Sequence, residues 1–291
     1  MNYNLNVKWR KIKNNEKDTS LVKKKLQELE NNYVCACVRF LSSDPLKDPV
    51  WILSSKNKTP NALIINSKST IIPVFDGIKT IPKPKFLKKF SALKKIHSIQ
   101  GLKEEVIVME GVMEEFGKGV SETFDYNLMS IEAAVKTADA NRSLAACKNL
   151  ILRAVGLSDL DALAPLQAAY EHEEVLHRGS VFSPAASRIN LAKIITGGKI
   201  LAAELDGRLV GKINVSGESF SRYLIGGVYV HHDFRGQGIA RIMTERFIAS
   251  LFGEGKGITL FVKKANLAAN RLYAGLGFKV LENYRITYLS D

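Results

Sequence analysis

Six consecutive residues, Arg235-Gly236-Gln237-Gly238-Ile239-Ala240, stand between an apolar run, Leu224 to Val230, and a helical pattern of Ile239, Ile242, Met243, Phe247 and Leu251. A strand that turns through glycines into a helix is an anion-binding layout. The first N–H groups of a helix lack intrahelical partners and carry the positive end of its dipole, so a phosphate can accept several of them at once. Gly236 and Gly238 let the backbone take unusual dihedrals, and Arg235 adds a forked positive charge. The stretch is neither a P-loop, since no Gly-Lys-Ser/Thr follows, nor a dinucleotide fingerprint, since Arg241 stands where a third small residue is required.

A second stretch, Asn266-Leu267-Ala268-Ala269-Asn270-Arg271-Leu272-Tyr273-Ala274-Gly275-Leu276-Gly277-Phe278, follows the strand-like run Ile258 to Val262. Asn266 reads as an N-cap, Ala268 to Leu276 as a short helix, and Gly277 as its left-handed stop. Together the two stretches resemble the GNAT N-acetyltransferase superfamily. Arg235, Gly238 and Ala240 fill its Arg/Gln-x-x-Gly-x-Gly/Ala signature, and the second stretch is similar to its Asn-x-x-Ala-x-x-x-Tyr-x-x-x-Gly-Phe. The resemblance runs from about Asn149 to Tyr288, and Ile225-Gly226-Gly227-Val228-Tyr229 gives it the flavour of the glycine-N-acyltransferase-like branch.

The resemblance implies an acetyl-CoA donor and no metal. The Gly236, Gln237, Gly238, Ile239 and Ala240 backbone with Arg235 would take the pyrophosphate, and Val228, Tyr229 and Val230 would offer N–H groups to the pantetheine arm and thioester carbonyl. Gly226-Gly227 would form the bulge that splays this strand from the next. Asn266 would bond the pantetheine arm or pyrophosphate, and Tyr273 would protonate the leaving thiolate. For the base, Glu173 and Glu174 lie in the region that forms the acceptor wall; Glu174 is taken as the candidate, although Glu171, Glu173 and Glu174 also read as a solvated acidic face. His172 and His177 point to different sides of a helix, and His231 and His232 to opposite faces of an extended strand end, so neither pair makes a metal site.

The elements that would position these groups form an α/β chain with a mixed sheet: a GNAT-fold domain over 149–291 and a smaller α+β domain over 1–131, joined by a linker or helix over 132–148. In the second part, Leu150 to Val155 is a strand, Ser158-Asp159 caps a helix through Leu163, Leu166, Ala169 and Tyr170, and another helix follows Pro184. Strands Ile200 to Leu205 and Leu209 to Val215 meet at Asp206-Gly207, a tight-hairpin dipeptide. After the two helices described above, final strands lie near Phe278 and Arg285.

In the first part, Asp18-Thr19-Ser20 caps a helix through Leu21, Val22, Leu26 and Leu29. Tyr33 to Leu41, Trp51 to Ser54, Ala62 to Asn66 and Thr70 to Phe75 read as a strand meander. Phe86, Phe90 and Leu93 share a helical face, Leu102 to Phe116 is a helix ending at Gly117, and Phe124 to Ile131 is a strand. In element order this part resembles a degenerate second copy of the same fold. Its one glycine turn, Glu114-Glu115-Phe116-Gly117-Lys118-Gly119, has a carboxylate where the signature has Arg or Gln, so no CoA is expected there.

With 291 residues and 46% apolar content, each part can build a core. The net charge is +13, and residues 1–120 carry 22 of the 42 basic residues against 12 of the 29 acidic ones. Only Arg10 and Arg39 there are arginines, so a lysine-rich solvated surface is favoured over a nucleic-acid patch. Cys35, Cys37 and Cys147 have no zinc or redox spacing. Met1 to Asn15 lacks an apolar leader core and no apolar run reaches membrane-spanning length, so a cytoplasmic protein is expected. The expected function is acetyl transfer to a small-molecule or peptide amine by direct attack in a ternary complex. The alternatives are a non-catalytic acyl-CoA-binding regulator and a nucleic-acid-binding module.

Overall fold

The computed structural model describes residues 8–43, 48–54, 60–78, 81–88, 96–132 and 149–290, and it divides into two units. The first holds Met1–Leu128 together with Val262–Ala265 and Val280–Asp291, and the second holds Met129–Phe261 and Asn266–Lys279. Of the expected linker over 132–148, all but Glu132 lies outside the described residues.

In the second unit, β7 (Leu150–Ala154), β8 (Ile200–Leu205), β9 (Arg208–Glu218), β10 (Arg222–Val230) and β11 (Gly257–Lys263) take the spatial order β11-β10-β9-β8-β7. The β8–β9 hairpin turns at Asp206 and Gly207, with φ of 48° and 76°, the pair of positive values that a two-residue turn of matching twist needs. Helices α4 (Leu160–Tyr170) and α5 (Pro184–Thr196) pack on this sheet through Leu163, Leu166, Leu191 and Ile195, which share a core with Ile200, Ala202 and Tyr229. Ser183 caps α5 by accepting from the Ala186 N–H. The expected cap at Ser158-Asp159 is instead a short 3₁₀ turn in which Asp159 takes a forked pair of bonds from Arg153 and a third from the Gly156 N–H. Helix α6 (Ile239–Phe252) buries Ile239, Ile242, Met243, Phe247 and Leu251, the face expected from its spacing. Helix α7 (Leu267–Gly275) is capped by Asn266 and stopped at Gly277, with φ of 90°.

The first unit orders β1 (Lys8–Lys11), β2 (Val50–Ser54), β3 (Ala62–Ser67), β4 (Thr70–Val74), β5 (Ser98–Leu102), β12 (Lys279–Leu289) and β6 (Val120–Ile131) as β1-β2-β3-β4-β5-β12-β6. Three corrections concern its elements. Tyr33 to Leu41 is not a strand but most of helix α2 (Glu30–Leu41): Glu30, Tyr33, Val34 and Cys37 are its buried residues along with Ala36, and their spacing of three and four is the helical period that the density of β-formers obscured. The expected separate strands near Phe278 and Arg285 are one strand, β12, which pairs antiparallel with β5 from Tyr284 opposite Leu102 to Tyr288 opposite Ser98. Helix α1 (Glu16–Glu28) is capped by Asn15, not by the Asp18 group; Asp18 receives a forked pair of bonds from Arg10 at 2.7 Å. Helix α3 (Lys103–Glu115) covers the core of Ile64, Ile71, Phe75, Ile99 and Met109. Of the expected Phe86 helix face, Phe86 stacks on Trp51, while Phe90 and Leu93 lie outside the described residues.

One buried carboxyl in this unit has a pH signature. Glu105 accepts from the Tyr33 hydroxyl and the Phe75 N–H, yet burial outweighs these bonds and raises its pKa to about 7. Since an unfolded glutamate titrates near 4.5, the folded chain binds more protons between about 4.5 and 7, and this group's contribution to stability falls as pH rises through that window. Glu105→Gln keeps an acceptor for both bonds and should flatten the decline. Chemical-denaturation midpoints at pH 5 and pH 8 check this, and equal slopes for wild type and variant would contradict it.

Candidate active site

The site begins where β10 parts from β11. Their parallel ladder runs from Arg222 opposite Gly257 to Ile225 opposite Leu260 and no further, although β10 continues to Val230. On its other edge β10 pairs with β9, with a register shift between Gly226 and Tyr229 that leaves Gly227 and Val228 without a partner residue on β9. Gly227 has φ of 60°, and a Cβ there would lie 2.1 Å from Asn214 Oδ1 and 2.7 Å from Lys212 Nζ. Glycine is required by conformation and by crowding together.

Four residues past Val230 comes the turn into α6. Gly236 and Gly238 have φ of 77° and 79°, and a Cβ on either would meet no protein atom within 4 Å, so the left-handed backbone alone selects glycine here. Gly238 is the cap of α6 and has no side chain to satisfy the helix's first N–H groups, which stay available to an anion. Gly236, Gln237 and Gly238 are exposed, Ala240 is half-buried and Ile239 is buried.

The Arg235 side chain turns back rather than over the turn. Its Nε donates to the Val230 carbonyl at 2.9 Å, its Nη2 to Glu173 at 2.8 Å, and the guanidinium lies 5.2 Å from the centre of the Tyr229 ring. Glu173 also accepts from the Tyr229 hydroxyl at 2.6 Å. Burial acts to raise the Glu173 pKa, but the bonds from Tyr229 and Arg235 outweigh it and lower it; the same contact, after burial, raises the Tyr229 hydroxyl to about 12.

The acidic wall comes from a π-helical turn, Glu171–Val175, that continues α4 and closes with the Leu176 N–H on the Glu171 carbonyl. Its acids form a partly exposed face in which each has a partner: Glu171 accepts from Gln167 at 2.7 Å, Glu173 is exposed and paired as above, and Glu174 accepts from Asn266 Nδ2 at 3.2 Å. Asn266 also caps α7 through Oδ1, so its structural and site roles use different atoms of one amide. Tyr273 is buried against Phe278. Burial, then the nearby Tyr170 and Glu174, push its pKa up, so it stays a phenol throughout the physiological range. Val228, Tyr229, Val230, Arg235, Glu174, Asn266 and Tyr273 are thus all linked to elements around the end of β10.

Two residues were missed. Lys212 is fully buried beneath the bulge, donates to the Gly227 carbonyl at 3.0 Å and lies 4.7 Å from the centre of the Tyr170 ring; Asn214 is 3.4 Å from the same Nζ. A lysine and an asparagine two apart in a strand otherwise read as Leu209 to Val215 were the available signal, since both point into an apolar core. The histidine expectation also fails: His232–Phe234 is a 3₁₀ turn, and the rings of His231 and His232 stack with centres 4.3 Å apart. With Asp233 their donor atoms fall within 4.8 Å of one another at the surface.

A separate cavity lies in the first unit. It has about 580 Å³ and is lined by Glu28, Asp76, Glu104, Glu105 and Glu282, a charge that disfavours a pyrophosphate. The Glu114 to Gly119 stretch closes the C-terminal end of α3, the negative end of the dipole, rather than opening a helix.

A mixed sheet whose central strands splay beside a glycine turn is the acetyltransferase architecture of the GNAT fold. Residues 166–278 match the family model described as Acetyltransferase (GNAT) family, so the chain carries a GNAT-family acetyltransferase domain over that stretch. Among solved structures, a GCN5-related N-acetyltransferase from Sphaerobacter thermophilus is 15% identical with a TM-score of 0.63, covering 96% of this chain and 95% of its own. A tandem GNAT protein from the clavulanic acid biosynthesis pathway is 11% identical with a TM-score of 0.60, covering 98% of both chains. An acetyltransferase of the GNAT family from Colwellia psychrerythraea is 11% identical with a TM-score of 0.56, covering 98% of this chain and 100% of its own. At these identities the likeness is one of fold. No curated protein matches the sequence. No helix among the described residues is long and apolar enough to cross a membrane.

The two arms of the anion site differ in how they would bind CoA. Gly238→Glu strains the left-handed cap and puts a carboxylate at the helix N-terminus, so it should abolish CoA binding. Arg235→Ala should weaken it by about tenfold, the low end for a charge-assisted contact, because the half-exposed guanidinium is shared with Glu173. Calorimetric titration of CoA into the full-length variants separates them, and wild-type affinity in Gly238→Glu would remove the turn from the site.

Proposed function

We propose that the chain is an acetyl-CoA-dependent N-acyltransferase that moves an acetyl group to a primary amine by direct attack in a ternary complex. The observation that carries this reading is the parting of β10 from β11 after Ile225, directly before the glycine cap of α6. A pantetheine arm can add to the freed edge of Gly226 to Val230 while its pyrophosphate lies on the N–H groups at Gly238 to Ala240. The glycine-N-acyltransferase-like flavour rests on Ile225-Gly226-Gly227-Val228-Tyr229 alone. The first unit as a degenerate second copy gains support from the near-complete coverage of the tandem GNAT protein. A cytoplasmic setting and a small-molecule or peptide amine acceptor remain part of this reading.

In the transfer step the amine nitrogen forms a bond to the thioester carbon and the carbon–sulfur bond breaks. The Val228 N–H faces the oxyanion that develops between these events. Glu174 takes the proton that the amine loses, directly or through a water, since Glu173 is occupied by Arg235 and Tyr229. Tyr273, held as a phenol, gives its proton to the departing thiolate and regains one from the same pool. Release of free thiol from acetyl-CoA, measured against a panel of primary amines, tests the activity; binding of acetyl-CoA without turnover of any amine would favour an acyl-CoA-binding regulator.

Tyr273→Phe keeps the ring on Phe278 and deletes only the hydroxyl. Turnover should fall by about 10²–10⁴-fold, the range for one general acid, with CoA affinity little changed and a milder loss for acyl donors whose thiol is more acidic. Unchanged turnover where chemistry limits the rate would remove Tyr273 from the mechanism.

A further inference from the structure

Lys212 is the most deeply buried cation of the second unit's site, with no exposed surface, and it stands on β9 in register with Tyr229 of β10. Its Nζ donates to the Gly227 carbonyl at 3.0 Å. The groups that face it are the Tyr170 ring and Glu171 from the end of α4, Asn214 from β9 and the Gly227 carbonyl from β10, with Glu174 and Tyr273 reached through Tyr170. The carbonyl of this one glycine is therefore held by a buried side chain, in a stretch where the ladder to β9 is interrupted and the ladder to β11 has ended.

The peptide joining Gly227 to Val228 is trans and planar, so its C=O and N–H point in opposite directions. The carbonyl points to Lys212; the Val228 N–H points away from it. A donor on the carbonyl draws electron density through the amide and strengthens its N–H as a donor, most of all where water is excluded. We propose that Lys212 is a positioning residue for acetyl transfer: it fixes the Gly227 carbonyl at the bulge and polarises the Gly227–Val228 peptide, so that the Val228 N–H becomes a stronger donor to the thioester oxygen. This rests on the acetyl-CoA reading given above.

Burial pushes the Lys212 pKa down to about 7 in the unliganded chain, with the Glu171 charge opposing. The unfolded chain therefore binds more protons between about 7 and the usual 10.5, and this group's contribution to stability rises with pH through that window. Lys212→Met fills similar volume and removes the buried charge but leaves the Gly227 carbonyl without its donor, so its stability should lack the wild type's rise with pH through that window. The charged form polarises the peptide more than the neutral amine, and the donor's phosphates favour the charged form, so the transition in the complex lies at neutral or mildly alkaline pH.

Isotope-edited infrared spectra of acetyl-CoA labelled with carbon-13 at the thioester carbonyl, bound to the full-length chain, read this polarisation without any amine. The bound carbonyl band should lie at lower frequency at acid pH than at alkaline pH in the wild type. In Lys212→Met it should stay at the higher frequency throughout, with acetyl-CoA affinity within a few fold of wild type. A wild-type band that does not move with pH, or a Lys212→Met band that keeps the wild-type shift, overturns the proposal. Should the methionine variant fail to fold, the wild-type pH series decides alone. Absence of any saturable bound band would overturn the donor reading itself, and this inference with it, whereas a bound band insensitive to Lys212 would overturn only the inference.

Discussion

Strand β10 hydrogen-bonds to β11 for four residues and then leaves it, and everything around the site is arranged to make that parting tolerable. A sheet strand that abandons a neighbour exposes unpaired backbone groups, which cost free energy unless something else accepts them. Here the other edge is disturbed as well, because the bulge at Gly226 to Tyr229 interrupts the ladder to β9. The Gly227 carbonyl is satisfied by a lysine and the Val230 carbonyl by the guanidinium of Arg235. Polar side chains thus take the place of strand partners on one side and leave the other edge for a ligand.

The π-helical turn after α4 serves the same strand. By widening the last turn it brings three successive acids into different pairings: Glu171 with Gln167, Glu173 with Tyr229 and Arg235, and Glu174 with Asn266. Glu173 ties the end of β10 to the glycine turn, and Glu174 ties α4 to the cap of α7. On the proposed reading the carboxylates, the phenol of Tyr273 and the freed strand edge act as one site, although they come from three separate stretches of sequence.

Much of this was legible in the residues because the chemistry depends on local backbone signals. The left-handed turn at Gly236 and Gly238, the buried face of α6, the Asn266 cap and the Asp206-Gly207 hairpin follow from glycine and asparagine at fixed offsets and from apolar spacing. What escaped depends on long-range packing. Tyr33 to Leu41 carries strand-forming residues, yet its buried set repeats at the helical period because a helix is what fits over β3 to β5. That β12 belongs to the first unit's sheet follows from its pairing with β5, which no local pattern encodes. Lys212 stands out only once β9 and α4 bury it, and the contact of Arg235 with Glu173 comes from a stretch 62 residues away.

The gap between β10 and β11, continued by the cap of α6, is the element on which the functional reading stands. A crystal structure of the full-length chain with acetyl-CoA tests it most directly. The pantetheine arm should lie along the edge of Gly226 to Val230, with the thioester oxygen at the Val228 N–H and the pyrophosphate on the N–H groups at Gly238 to Ala240. Acetyl-CoA bound elsewhere, with β10 and the α6 cap untouched, would contradict it.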